Sequence, residues 1–316
     1  MSTESAAPLQ SLASRLSAGG PVITAELNPP KGVDLSQTLA VARSLRGLAA
    51  AFNVTDSQSA VMVQAGLALA HHLVEEGLEP VLQVSCRDRN RIALQADLLA
   101  AASLGVRNVL CLTGDDPRRG DNPEARAVFD LDTIGLLRAA SALRGGKDLA
   151  GNALKGAPDL LAGAVVNPGA PDLEKELRRM DEKIAAGAAF FQTQAVFDLG
   201  LLEKFRRRVE GAGVPVLIGV IIPKSAKMAR WMVQNLPGVL VPDAVMEELE
   251  RAARPAEAGV AIAARITAEA VAGFRGAHLM ALGWERRIPE VLDAAGIRMS
   301  EPPPTRDVTQ HAHNRR

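Results

Sequence analysis

FFQTQAVFD (190–198) places two amides and a hydroxyl, Gln192, Thr193 and Gln194, directly after two aromatic rings. An apolar run leads into it and no turn residue interrupts it, so it reads as the end of a buried strand that carries polar groups. On one side lies DLEKELRRMDEKIAAGA (172–188), with apolar residues at three- and four-residue spacing, and on the other PVLIGVII (215–222), another short apolar run. Strand, helix and strand alternate. The same unit recurs in both directions. VITAEL (22–27), AAFNVTD (50–56), PVLQVSC (80–86), NVLCLTG (108–114), LLAGAVVNP (160–168) and GAHLMAL (276–282) complete eight strand-like runs, separated by helical stretches such as DLSQTLAVARSLRG (34–47) and NRIALQADLLAAASLG (90–105). Eight strands alternating with helices predict an α/β chain folded as one closed parallel (β/α)8 barrel, a TIM barrel.

The predicted organisation is an N-terminal extension over residues 1–20, a barrel domain over 21–300 and a flexible tail over 301–316. PDAVMEELERA (242–252) and PAEAGVAIAARITAEAVAG (255–273) read as extra helices inserted between the seventh and eighth strands. Lys plus Arg and Asp plus Glu number 36 each, so no global field recruits nucleic acid or an acidic membrane. Tyr is absent and aromatic residues make up 3%, which argues against a surface of stacked bases. No run spans a bilayer and the first residues lack an apolar signal core, so the expected location is cytoplasmic. Cys86 and Cys111 are then expected to be buried free thiols. No metal motif occurs. His71 and His72 fall mid-helix, His311 and His313 in the tail, and His278 reads as a satisfied core residue.

Barrels of this kind place their chemistry at the carboxyl ends of the strands. Those ends carry Glu26, Thr55 with Asp56, Gln83, Thr113 with Asp115, Asn167 and Gln194, so polar groups at six of the eight converge on one mouth. Helix capping accounts for some of them.

The blocks AELNPPKG, FNVTDSQSA, VSCRDRNR, LTGDDPRRGDNP with VFDLDTIGLL, VVNP, EKIAAGAAFFQTQAVFD, and IIPKSAKMARWM with LPGV occur in one order from Val22 to Ile297. Together they resemble methylenetetrahydrofolate reductase, in the form found in acetogenic and related bacteria or fused to homocysteine methyltransferases. The regulatory domain of the eukaryotic enzymes has no counterpart in them. The resemblance implies a flavin, FAD with FMN as the alternative, that serves reduction of 5,10-methylenetetrahydrofolate to 5-methyltetrahydrofolate in one-carbon metabolism, either for methionine biosynthesis or for acetogenic methyl-group metabolism.

It further implies Glu26 as the general acid that opens the methylene bridge, Asp115 as a charge beside both rings, and Gln194 as the residue that reads the pterin. For the cofactor it implies Thr55, Gln83, Thr113, Asp115, Phe129, Asp130, Asn167 and Lys183. Gln83 stands where many relatives have histidine, Thr113 where the better-known enzymes have arginine, and Lys227 near a position that is aromatic in them. These departures leave the electron donor open between NAD(P)H and an electron-transfer partner subunit, in a homo-oligomer or a hetero-complex. A pterin-binding barrel methyltransferase and a non-catalytic folate-binding subunit of a reductase complex are the alternative readings.

Overall fold

A computed structural model of the chain describes residues 10–236 and 238–297. Eight parallel strands close on themselves in sequence order: β1 Val22–Leu27, β2 Ala51–Val54, β3 Pro80–Ser85, β4 Asn108–Leu112, β5 Leu161–Val166, β6 Phe190–Ala195, β7 Val216–Ile221 and β8 Gly276–Met280. The helices in chain order are α1 Leu12–Ser17, α2 Ser36–Ser44, α3 Gly66–Glu75, α4 Arg91–Ser103, α5 Thr133–Arg144, α6 Leu173–Ala185, α7 Leu199–Val209, α8 Ala226–Asn235, α9 Asp243–Arg251, α10 Pro255–Gly273 and α11 Ile288–Ala294. The expected barrel is present, and α9 and α10 are the extra helices between β7 and β8. The predicted tail, with His311 and His313, lies outside the described residues.

Alternation along each strand divides the apolar residues into two cores. Ile23, Ala25, Val54, Leu82, Val84 and Ile218 face outward onto the helix ring. Val22, Val81, Leu110, Phe190 and Leu217 fill the amino-terminal end of the barrel, where Leu12 and Leu16 of α1 close it from below. The predicted extension is therefore in part a plug. Glu79 holds it there by accepting the Leu12 N–H at 3.1 Å. Phe190 spans this layer because β5 presents Gly163 to it: a Cβ there would lie 2.3 Å from the ring.

The opening stretch contains a feature that period-two reading does not see. Gln192 pairs with Leu217 but Ala195 pairs with Gly219, so β6 carries one residue more than β7 between those points. This is a β-bulge, a device that re-aims side chains. Thr193 Oγ1 accepts the Gly219 N–H at 2.8 Å in place of a ladder bond. Gly219 is required, since a Cβ would meet the Thr193 carbonyl at 2.3 Å. Consequently Gln192 points into the barrel interior, Thr193 secures the bulge, and Gln194 is carried up to the mouth.

Candidate active site

A cavity of about 420 Å³ opens at the carboxyl ends of the strands. A larger concavity of about 710 Å³ lies at the opposite end, against α1 and the start of β7. The smaller one is the candidate, because in this architecture the loops after the strands carry the chemistry. Glu26, Gln83, Thr113, Asp115, Asn167, Lys183 and Gln194 all line it. Thr55, Phe129 and Asp130 do not line it. Thr55 is buried and donates to Asn28 Oδ1 at 2.8 Å. Phe129 is 40% exposed with φ 41°, and Asp130 accepts the Arg91 N–H at 2.8 Å and its Nε at 2.9 Å. Bonds from the Arg91 side chain and backbone hold the Asp130 carboxyl down at about 2.

Glu26 is 5% exposed at the end of β1. Its Oε2 faces two groups, Gln83 Nε2 at 3.4 Å and His278 Nε2 at 3.7 Å. Its Oε1 is buried without a hydrogen-bond partner. A buried polar atom left unpaired is costly, so it marks a position where a ligand atom completes the bonding.

Lys183 is the buried cation of the opposite wall. It projects from α6, is 5% exposed, and its Nζ donates to the Val165 carbonyl at 2.7 Å with Glu176 Oε1 at 4.0 Å. Burial pushes the ammonium below its ordinary value, and the Glu176 carboxylate opposes that. Beside it Thr113 and Thr133 share a hydroxyl bond of 2.8 Å. Asn167 Oδ1 accepts the Gly169 N–H at 3.0 Å. Gly238, at φ +80°, packs so closely on the Asn167 amide that a Cβ would sit 2.0 Å from its Nδ2.

Asp115 sits on the exposed rim and accepts the Ser59 N–H at 3.0 Å. Its neighbour Asp116 takes the turn role, capping the short turn at Pro117–Arg119. The loop that reaches Asp115 holds Ser57, Ser59 and Ala60 at φ 47°, 55° and 57°, a region that L-residues enter at a cost of roughly 1–2 kcal/mol each. Buried Arg87 secures it by donating to the Ser57 carbonyl at 3.0 Å.

Four residues absent from the sequence-derived set form the floor. Gln192 and Asn53 exchange amide bonds of 2.7 and 2.9 Å, Gln192 Nε2 lies 3.3 Å from Thr24 Oγ1, and Thr24 Oγ1 lies 2.9 Å from His278 Nδ1. Each precedes the polar or terminal residue of its strand by two positions or shares its face, so counting back by two from Glu26, Thr55 and Gln194 would have found three of them. His278 is buried and bonded, as a core residue should be, and it also lines the cavity.

Residues 11–296 match the family model described as methylenetetrahydrofolate reductase. The chain belongs to the methylenetetrahydrofolate reductase family. Among relatives, the 5,10-methylenetetrahydrofolate reductase of Salmonella typhimurium is 29% identical over 150 residues, covering 47% of this chain and 45% of the relative. Methylenetetrahydrofolate reductase 2 of Schizosaccharomyces pombe is 24% identical over 235 residues, covering 68% of this chain and 35% of the relative. The matches thus span about half the length of the bacterial relative and about a third of the yeast one. A Clostridium thermocellum protein, whose structure is described as binding two copies of 5-methyl-5,6,7,8-tetrahydrofolic acid, aligns with TM-score 0.55 at 14% identity over 88% of this chain and 95% of that one. That likeness supports the barrel fold of this family member. Among the described residues no helix is long and apolar enough to cross a membrane, and no group of three or more His, Cys, Asp or Glu is placed to hold a metal ion.

Proposed function

We propose that this chain reduces 5,10-methylenetetrahydrofolate to 5-methyltetrahydrofolate at the mouth of its barrel, with Glu26 as general acid. The observation that carries the reading is the buried, partnerless Oε1 of Glu26, a residue that lines the cavity of a methylenetetrahydrofolate reductase family member. The methylene bridge accepts reducing equivalents only after it opens, and opening requires a proton on the departing nitrogen. Oε1 is the atom of this wall free to deliver it. Gln194, raised to the mouth by the bulge, offers an amide that both donates and accepts, as the edge of a pterin demands. Asp115 places a carboxylate on the rim, where it favours positive charge developing on the opened ring.

The wall around Lys183 fits a flavin. A buried ammonium with one carbonyl bond and a carboxylate at 4.0 Å has donor capacity left for a phosphate, and Thr113, Asn167 and Gln194 supply donors and acceptors suited to a heterocycle. When bound, the flavin would supply the reducing electrons. Arg179, which also pairs with Asp132 at 2.9 Å, lines the same wall as Lys183, and two cations there favour FAD, with its two phosphates, over FMN. Folate and flavin are the proposed ligands, and the electron donor is NAD(P)H or a partner protein.

Stopped-flow measurement of the two half-reactions tests the reading. Glu26→Gln keeps size and removes the acid, so reoxidation of reduced enzyme by methylenetetrahydrofolate should fall by about 10²–10⁴, while reduction by the donor stays within a few-fold. Equal slowing of both steps would make Glu26 structural and send the search for the acid elsewhere at the mouth.

A further inference from the structure

The floor of the cavity is a chain of hydrogen bonds with a direction. Asn53 and Gln192 form a reciprocal amide pair, each donating to the other's oxygen. In that orientation the second N–H of Gln192 is the one aimed at Thr24 Oγ1, 3.3 Å away. Thr24 is fully buried, and His278 Nδ1 at 2.9 Å is the acceptor available to its hydroxyl. The hydroxyl then accepts from Gln192 and donates to His278. A neutral imidazole that accepts at Nδ1 carries its hydrogen on Nε2. That Nε2–H faces Glu26 Oε2 at 3.7 Å, beside Gln83 Nε2 at 3.4 Å. Oε2 is thus met by donors alone and has the character of a carbonyl oxygen. The acidic hydrogen belongs on the other oxygen.

We propose that Gln192, held by Asn53, is a positioning residue that sets the direction of this chain and so keeps the proton of Glu26 on Oε1, the oxygen that has no partner in the protein. The proposal rests on the reading of Glu26 as the acid. The two amides can turn over only together, because a single flip would set oxygen against oxygen and nitrogen against nitrogen. A joint flip would reverse every bond below. Gln192 Oε1 would accept from Thr24, Thr24 would accept from a His278 Nδ1–H, and the bare Nε2 would draw the Glu26 proton to Oε2, the oxygen already engaged by the floor. The barrel interior thereby determines which oxygen of Glu26 carries the proton. No net charge is needed in the floor to do this.

Two-bond ¹H–¹⁵N spectra of ¹⁵N-histidine protein, at a pH where His278 is neutral, read the tautomer directly, with its signals assigned by their loss in His278→Asn. Wild type should show His278 as the Nε2–H form alone. Gln192→Met, which removes the donor while filling the space, should show both forms. In that variant the folate half-reaction should fall in proportion to the Nδ1–H fraction, with reduction by the donor unchanged. Thr24→Ser should keep the wild-type tautomer, and Thr24→Val should lose its bias. An Nδ1–H wild type would overturn the proposal even if no variant folds, and so would a Gln192→Met protein whose tautomer is unaltered. The acid reading fails separately: a Glu26→Gln enzyme with an undiminished folate rate would remove the proton assignment while leaving the tautomer result in place.

Discussion

Replacing Lys183 with Met separates what the cavity wall does for the fold from what it does for a ligand. The ammonium is almost wholly buried, bonded to one carbonyl at 2.7 Å and 4.0 Å from its carboxylate. Burial lowers its pKa from the ordinary 10.5, so the folded protein holds the proton less tightly than the unfolded chain does. The sign follows from linkage: between the lowered folded value and 10.5 the unfolded chain binds more protons than the folded one, so stability rises with pH across that window. Met fills similar volume and titrates nowhere. Ligand-free Lys183→Met should therefore be as stable as wild type or more so at neutral pH, with the difference closing as pH approaches 10.5. Flavin binding should move the other way. A charge-assisted bond to a phosphate contributes about 1.5–3 kcal/mol, so affinity should fall about 10- to 160-fold. Urea denaturation of the apoprotein from pH 7 to 10.5 and fluorescence titration with FAD provide the two readouts. Parallel stability–pH curves for the two proteins would refute the burial argument, and unchanged FAD affinity would remove Lys183 from the cofactor site.

Phe190→Ala empties the plug layer beneath the site and should cost about 3–5 kcal/mol, seen as a lower urea midpoint with an unchanged slope. Gly163→Ala drives a methyl into the Phe190 ring and should cost about 1–3 kcal/mol, with Phe190→Leu in the same chain recovering part of it. Gly120→Val places a side chain where even a Cβ would lie 1.8 Å from the Ala60 carbonyl, so it should displace the loop that bonds Asp115 and raise KM for the folate more than it lowers the melting temperature. Lys227 is exposed at the start of α8, and anaerobic stopped flow should show slow flavin reduction by NAD(P)H in wild type and faster reduction in Lys227→Phe, if an aromatic face there is what nicotinamide lacks.

The barrel was legible because its signal is repeated eight times. Each apolar run could be mistaken for a helix segment alone, but eight runs in alternation with amphipathic stretches admit few other folds. Strand ends were legible for a similar reason: Glu26 and Gln83 are polar where the surrounding run is apolar, and the structure brings both to the cavity. The bulge was not legible. It arises from the match of Thr193 with Gly219, 26 residues away, and neither residue signals the pairing on its own strand. Phe129 and Asp130 were assigned through resemblance; the structure places them outside the cavity lining, with Arg91 at the start of α4 engaging Asp130 through both backbone and side chain.

The interior polar layer is intelligible only with both ends of the barrel in view. Asn53, Gln192 and Thr24 stand where Val, Ile or Leu would ordinarily pack, and burying them is tolerable because each donates or accepts within the layer. Below them Phe190, Leu217 and the α1 plug exclude water from the amino-terminal end. Closed from beneath, the amides and the imidazole bond to one another and face Glu26 above, among the described residues. A solvated floor would offer each group water in place of its neighbour and erase the direction of the chain. On the proposed reading of Glu26 as the acid, the apolar plug belongs to the same device, because it closes from below the bonds that would set the position of the proton.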